Sequence, residues 1–320
     1  MAEFEDQFED PFQTNHEEEQ VIYVPHTFSC SNFRLAVAHE EMNSRRRNTM
    51  EDVHRILPVL DPDLPNYSYI GIYDGHGGRQ IADYLENALE RTVAQELKQP
   101  DSAGIEERLT RAFLITDMES RALNITTSGA TAVMALLSNT PGEEGETRRL
   151  VVANVGDSRA VLVSTKPAEK EKSSLDLDLE DDDEEGGGKK SGGYGYFAHR
   201  LSYDHRADDA VEQKRIAAAG GFVSRNRVLG ILAVSRSFGD HGMKDFVTAQ
   251  PYITVTSLKD HGECPMLILA CDGVWDVLTD QEAADLLLER YLKEGPFADA
   301  SQFLVNTAIE RGSADNVTAV

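Results

Sequence analysis

The chain has 320 residues, a formal net charge of −25 and a hydrophobic fraction of 40%, enough for one large domain or two with a real core. No run approaches the roughly 18 apolar residues of a membrane span, and so acidic a surface disfavours nucleic acid and anionic membranes while suiting divalent cations. Cys30, Cys264 and Cys271 form neither a disulfide framework nor a zinc pattern, so the expected setting is reducing, cytoplasmic or nuclear.

Residues 1–20 carry eight acids and no Lys or Arg. They lack the basic start of a signal or transit peptide and read as a disordered acidic tail. Phe4, Phe8 and Phe12 recur there every four residues, a spacing that suits docking of a regulatory partner, although Pro11 interrupts any helix. "NYSYIGIYDG" reads as a strand. In "RQIADYLENALERTVAQEL", Ile81, Leu85, Leu89, Val93 and Leu97 line one face of a helix. "IEERLTRAFLITDMESRAL" repeats that spacing through Ile105, Leu109 and Phe113. "GATAVMALLS" and "RRLVVANVGDSRAVLVS" flank the turn "NTPGEEGE" and read as a hairpin. Residues 166–196 are charged, glycine-rich and of low complexity, so they read as a flexible insertion into a single domain spanning 21–320, a solvated loop or, alternatively, a second place for a regulatory partner to dock. "VEQKRIAAAGG" is a short helix closed by Gly220 and Gly221. "MLILACDGVWDVLTDQEAADLLLERYL" is strand, acidic corner, helix. Two long helices followed by strands in pairs predict an α+β sandwich rather than a doubly wound sheet.

Acids recur where strands end: Glu51 and Asp52 in "NTMED", Asp74 in "YDGHGG", Asp157 in "VGDSR", Asp272 and Asp276 in "CDGVWD", Asp315 in "SADN". Any one corner could be turn chemistry alone. Five corners, several after stretches that belong in a core, suggest convergence, because a carboxylate there is costly unless paired or metal-bound. An all-oxygen cluster suits Mg2+ or Mn2+. Two such ions can activate a shared water against a phosphate ester. Arg45, Arg46 and Arg47 precede the Glu51 corner as candidates for gripping phosphate, and His76 follows Asp74 as a candidate proton donor. Cys271, at the end of an apolar run, reads as a buried core residue.

In this order, "RRRNTMEDVH", "YIGIYDGHGG", "TTSGATAVMALL", "LVVANVGDSRAVL", "RIAAAGGFV", "GILAVSRSFGD", "LILACDGVWDVL" and "SADNVTAV" resemble the blocks of the metal-dependent protein serine/threonine phosphatases of type 2C. The resemblance runs from Phe33 to Val320. It implies an antiparallel β-sandwich flanked by helices on both faces, with a binuclear metal site at one end. The implied reaction is hydrolysis of phosphoserine and phosphothreonine in proteins by a metal-bridged water, without a covalent phosphoenzyme. Asp74 resembles the carboxylate bridging two Mg2+ or Mn2+ ions. Glu51 and the Gly75 carbonyl resemble ligands of one ion, Asp272 and Asp315 those of the other. Asp157 and Asp276, with Asp272, resemble a weaker third site that some members use. Arg47 matches the phosphate-gripping arginine, His76 the general acid, Asp52 a carboxylate behind the ligands, and Asn316 a neighbour orienting Asp315. Arg45 and Arg46 are then surface charge. The implied partners are phosphoprotein substrates, and a monomer is expected. A scaffold without catalysis is the alternative, opposed by the full ligand set; a nuclease is opposed by the charge. The family normally extends its last strand beyond "DNVTAV", so a short or truncated final strand is expected.

Overall fold

Alternation along the strands sorts the core into layers. Tyr69 and Tyr73 lie in a cluster with the helical residues Ile81, Leu85, Leu89 and Leu109. Ile70 and Ile72, between them in sequence, lie in a different cluster with Leu162 and Leu269. Successive side chains of a strand point to opposite faces, so one face of this strand meets helices and the other meets a second sheet. Each large side chain buried this way contributes ~1.5–3 kcal/mol.

In the computed structural model, residues 27–30, 32–125, 127–142, 145–166, 195–263 and 266–320 are described. The acidic tail with its three phenylalanines, Cys264 and most of the 166–196 insertion lie outside them. The first sheet runs, in spatial order, Tyr252–Ser257, Gly145–Val155, Gly129–Gly142, Tyr67–His76, Asp52–Leu57, with Phe238–Gly239 pairing onto the start of the Gly129 strand. The second runs His39–Glu41, Val317–Ala319, Met266–Ala270, Arg159–Ser164, Phe197–Arg200. Every pairing in both is antiparallel. Helices Gln80–Leu97 and Ile105–Ser120 cover the first sheet. Helices Asp280–Glu294 and Ala300–Glu310 cover the second, packing Leu287, Leu288, Leu304 and Val305 against Val161 and Ile268. The result is the expected helix–sheet–sheet–helix sandwich.

The structure departs from the sequence reading in three places. "RRLVVANVGDSRAVLVS" is not one strand: it breaks at Gly156 (φ 90°), and its halves enter different sheets. Uniform apolarity hid the break, because both halves are buried. The Asn139–Glu146 turn is narrower than predicted, since backbone pairing continues to Gly142 and Gly145. The Ala300–Glu310 helix had no sequence prediction; its short apolar set gives a weak periodic signal. Among the described residues, no helix is long and apolar enough to cross a membrane.

Candidate metal centre and active site

Asp52 and Asp74 are direct cross-strand partners near the end of the first sheet. Ile56 and Ile70 form a pair of the same parity and face the second sheet, so both carboxylates lie on the inter-sheet face. The second sheet supplies Asp272, just after Met266–Ala270, and Asp315, just before Val317–Ala319. The crossing between the sheets supplies Asp157. These acids act on one another. Burial, and then the charges of Asp52, Asp272, Asp157 and Asp315, push the Asp74 carboxyl well above the usual range. Asp272 is raised likewise by burial, then by Asp157, Asp315, Asp276 and Asp52. Burial is also the leading cause that lifts Asp52 and Asp157 to about 6. Asp74 and Asp272 keep part of their surface open to solvent, so the cluster lies at a mouth, not sealed in the core.

A hard divalent cation fits this donor set, because it lets mutually repelling carboxylates ionise together. Ligand atoms of Asp52, Asp74 and Cys271 lie within 4.8 Å of one another. Two of the three are already engaged. Asp52 Oδ2 accepts from Thr318 Oγ1 at 2.7 Å. Cys271 Sγ accepts from Thr318 N at 3.2 Å and donates to Asn316 O at 3.5 Å. Burial, followed by the Asp52 and Asp74 charges, raises the thiol well above its ordinary value, and a neutral thiol is a poor ligand for Mg2+ or Mn2+. Asp52 and Cys271 thus form a wall behind Asp74, and Cys271 is the buried residue expected from the sequence.

Glu51 is tied to this wall from both sides. Its carbonyl accepts from Gly75 N at 3.2 Å, and its amide donates to Asn316 Oδ1 at 2.8 Å. Asn316 Nδ2 donates to the carbonyls of Met42 and Thr49, each at 2.9 Å. One side chain therefore fixes the Glu51 corner against the Asp315 corner. Asp315 Oδ1 accepts from Asn316 N at 2.7 Å, and Oδ2 pairs with the Arg47 guanidinium. Asn43 holds the same turn, donating to Ser313 O at 2.8 Å and Asp315 O at 3.1 Å.

Asp157 and Asp276 share one cation. Arg206 Nη1 is 3.6 Å from Asp157 Oδ2 and 3.5 Å from Asp276 Oδ1. Asp157 is buried, whereas the Asp276 side chain is 59% exposed.

His76, the last residue of its strand, does not stand alone: Nε2 is 2.7 Å from Oδ2 of Asp240. Asp240 was not singled out from the sequence. It ends the "GILAVSRSFGD" block, but 164 positions separate it from His76 and no spacing rule links them.

Comparison with known proteins identifies the family and the fold. The family model described as "Protein phosphatase 2C" matches residues 36–317. "Protein phosphatase 2C homolog 1" of Saccharomyces cerevisiae is 32% identical, covering 96% of this chain and 98% of that protein. The protein of the same name in Schizosaccharomyces pombe is also 32% identical, over 89% of this chain and 72% of its own. A crystal structure of serine-threonine phosphatase 2C from Toxoplasma gondii superposes with a TM-score of 0.69 at 20% identity, covering 93% of this chain and 97% of that one. That last likeness carries the fold, and the matches in sequence carry the family. The chain belongs to the protein phosphatase 2C family.

Proposed function

We propose that this protein hydrolyses phosphoserine and phosphothreonine in other proteins, in a reaction that depends on Mg2+ or Mn2+. The observation that carries the reading is the placement of Asp74, Asp272, Asp315 and Asp157 at the strand ends of two packed sheets, near enough for their charges to act on one another. Asp74, Glu51, Asp272, Asp315 and the Gly75 carbonyl would hold the ions. When bound, the ions supply an acidified water as nucleophile and positive charge beside the phosphate.

The chain's own residues do the rest. Arg47, beside Asp315 at the rim, grips non-bridging phosphate oxygens with its planar fork. Its present partner is a carboxylate, which a dianionic phosphate can displace. Asn316 holds two ligand corners in register, and Asp52, anchored by Thr318, stands opposite Asp74 in the ladder. His76 protonates the departing seryl or threonyl oxygen. No nucleophilic side chain is required, and Cys271 is buried and neutral. The acting unit is one domain, since the two sheets pack on one inter-sheet core and each carries its own helices on its outer face.

The test is hydrolysis of a phosphothreonine peptide with Mn2+, Mg2+ or EDTA, beside Asp74→Asn and Asp272→Asn. Turnover that needs the metal and fails in both variants supports the reading. Turnover in EDTA, or its survival in both variants, overturns it. A folded, ion-loaded protein without turnover would leave a binding scaffold.

A further inference from the structure

The imidazole of His76 is clamped from behind. Asp240, only 7% exposed, presents Oδ2 to Nε2 at 2.7 Å. The same oxygen accepts from Ser237 Oγ at 2.5 Å. The Asp240 backbone is fixed as well: its amide donates to Ser128 O at 3.2 Å and its carbonyl accepts from Met243 N at 2.8 Å. Lys244 Nζ ties the loop down, donating to Ser237 O at 2.8 Å and pairing with Asp117 Oδ1 at 2.9 Å. Asp117 Oδ1 also accepts from Gly239 N at 2.9 Å. Asp240 adopts φ 47°, a conformation few non-glycine residues take. Gly129 lies opposite His76 in the ladder, and a Cβ there would collide with both the carboxylate and the imidazole. Four separate elements thus converge on one contact: the end of the His76 strand, the start of the Gly129 strand, the Ser237–Lys244 loop and the helix carrying Asp117.

A buried carboxylate on one imidazole nitrogen fixes the ring's orientation and decides which nitrogen is left for chemistry. Here Nε2 is taken and Nδ1 is left. We infer that Asp240 is a positioning residue for His76, holding the ring so that Nδ1 delivers a proton to the departing side-chain oxygen of the phosphorylated residue. The inference rests on the phosphatase reading and on His76 as its acid. In the step, the bond from phosphorus to the seryl or threonyl oxygen breaks and its electron pair stays on that oxygen. The oxygen takes the Nδ1 proton. The oxygen of water forms the new bond to phosphorus, and a proton from that water returns to the imidazole.

The experiment compares two substrates. A threonyl oxygen is a poor leaving group and needs the acid; p-nitrophenolate leaves without one. Asp240→Ala is therefore expected to lower kcat on a phosphothreonine peptide by about 10- to 100-fold, the scale of a misplaced acid, while kcat on p-nitrophenyl phosphate falls less than about threefold. Mn2+ binding by calorimetry should be unchanged. In a His76→Ala background, Asp240→Ala should add no further loss, because the two act as one unit. Equal losses on both substrates, losses that multiply with His76→Ala, or weakened Mn2+ binding would overturn the inference. If Asp240→Ala does not fold, the near-isosteric Asp240→Asn and the milder Ser237→Ala are read by the same criteria. An inactive wild type would count against the phosphatase reading itself; an active wild type indifferent to Asp240 would count against this inference alone.

Discussion

Asp52 and Asp74 face each other across neighbouring antiparallel strands, two carboxylates on the same face of one sheet. Like charges set directly opposite destabilise a sheet, and burial makes this pair costlier still. The arrangement is useful only if a cation offsets it. Asp52→Asn should therefore raise the melting temperature measured in EDTA, by about 2–4 °C for each kcal/mol of repulsion removed. The amide oxygen can still accept from Thr318. In saturating Mn2+ the order should reverse, because the wild type gains more from ion binding. Thermal melts with and without metal check both halves.

Gly75 is packed against the Glu51 carbonyl, and a Cβ there would collide with it. Gly75→Ala should push the two corners apart, lose the 3.2 Å backbone bond between them and weaken ion binding about tenfold or more, at the scale of lost outer contacts. Mn2+ titration by calorimetry measures this directly, with circular dichroism to confirm the fold.

Arg47→Lys keeps the charge and loses the fork. We expect KM for a phosphothreonine peptide to rise by about 10- to 100-fold, equivalent to the ~1.5–3 kcal/mol of a charged hydrogen bond. Inhibition by inorganic phosphate should weaken in parallel. An unchanged inhibition constant would remove Arg47 from the phosphate site.

Arg206 already neutralises Asp157 and Asp276, so a third ion at those acids must displace it. The pairs are partly exposed and worth little each. Arg206→Gln should tighten the weakest phase of Mn2+ binding by about two- to fivefold and leave the tighter phases alone, as read from a calorimetric titration.

Glu212 contributes stability that is lost at acid pH. It is almost fully buried and meets Arg236, Arg215 and Ser235. Burial works to raise its carboxyl, but the arginines outweigh this and hold it at about 2. The unfolded chain binds this proton more tightly than the native one does. The contribution is therefore complete above about pH 4.5 and is lost as pH falls toward 2. Glu212→Gln should destabilise by about 3–5 kcal/mol at neutral pH, as expected for breaking a buried pair. Its deficit against wild type should shrink across that acid window in urea melts.

Much of this molecule was legible in its sequence because the relevant signals are local. Ile81, Leu85 and Leu89 announce a helix by spacing alone, and all three are fully buried. Asp74 and Asp272 announced themselves as acids ending apolar runs. What stayed hidden depends on residues that meet only after folding. The Arg47–Asp315 pair spans 268 positions, and His76–Asp240 spans 164. The switch of sheets at Gly156 was hidden because strands buried on both faces share one composition.

The two sheets contribute different acids to one cluster, and only side chains such as Ile72, Leu162 and Leu269 set the gap between them. Ion affinity is therefore a gauge of that gap. A methylene removed from Leu162, buried between the sheets five residues along the chain from Asp157, would let the layers settle by a fraction of an ångström. The protein would report the change as an altered metal requirement before any loss of fold became visible.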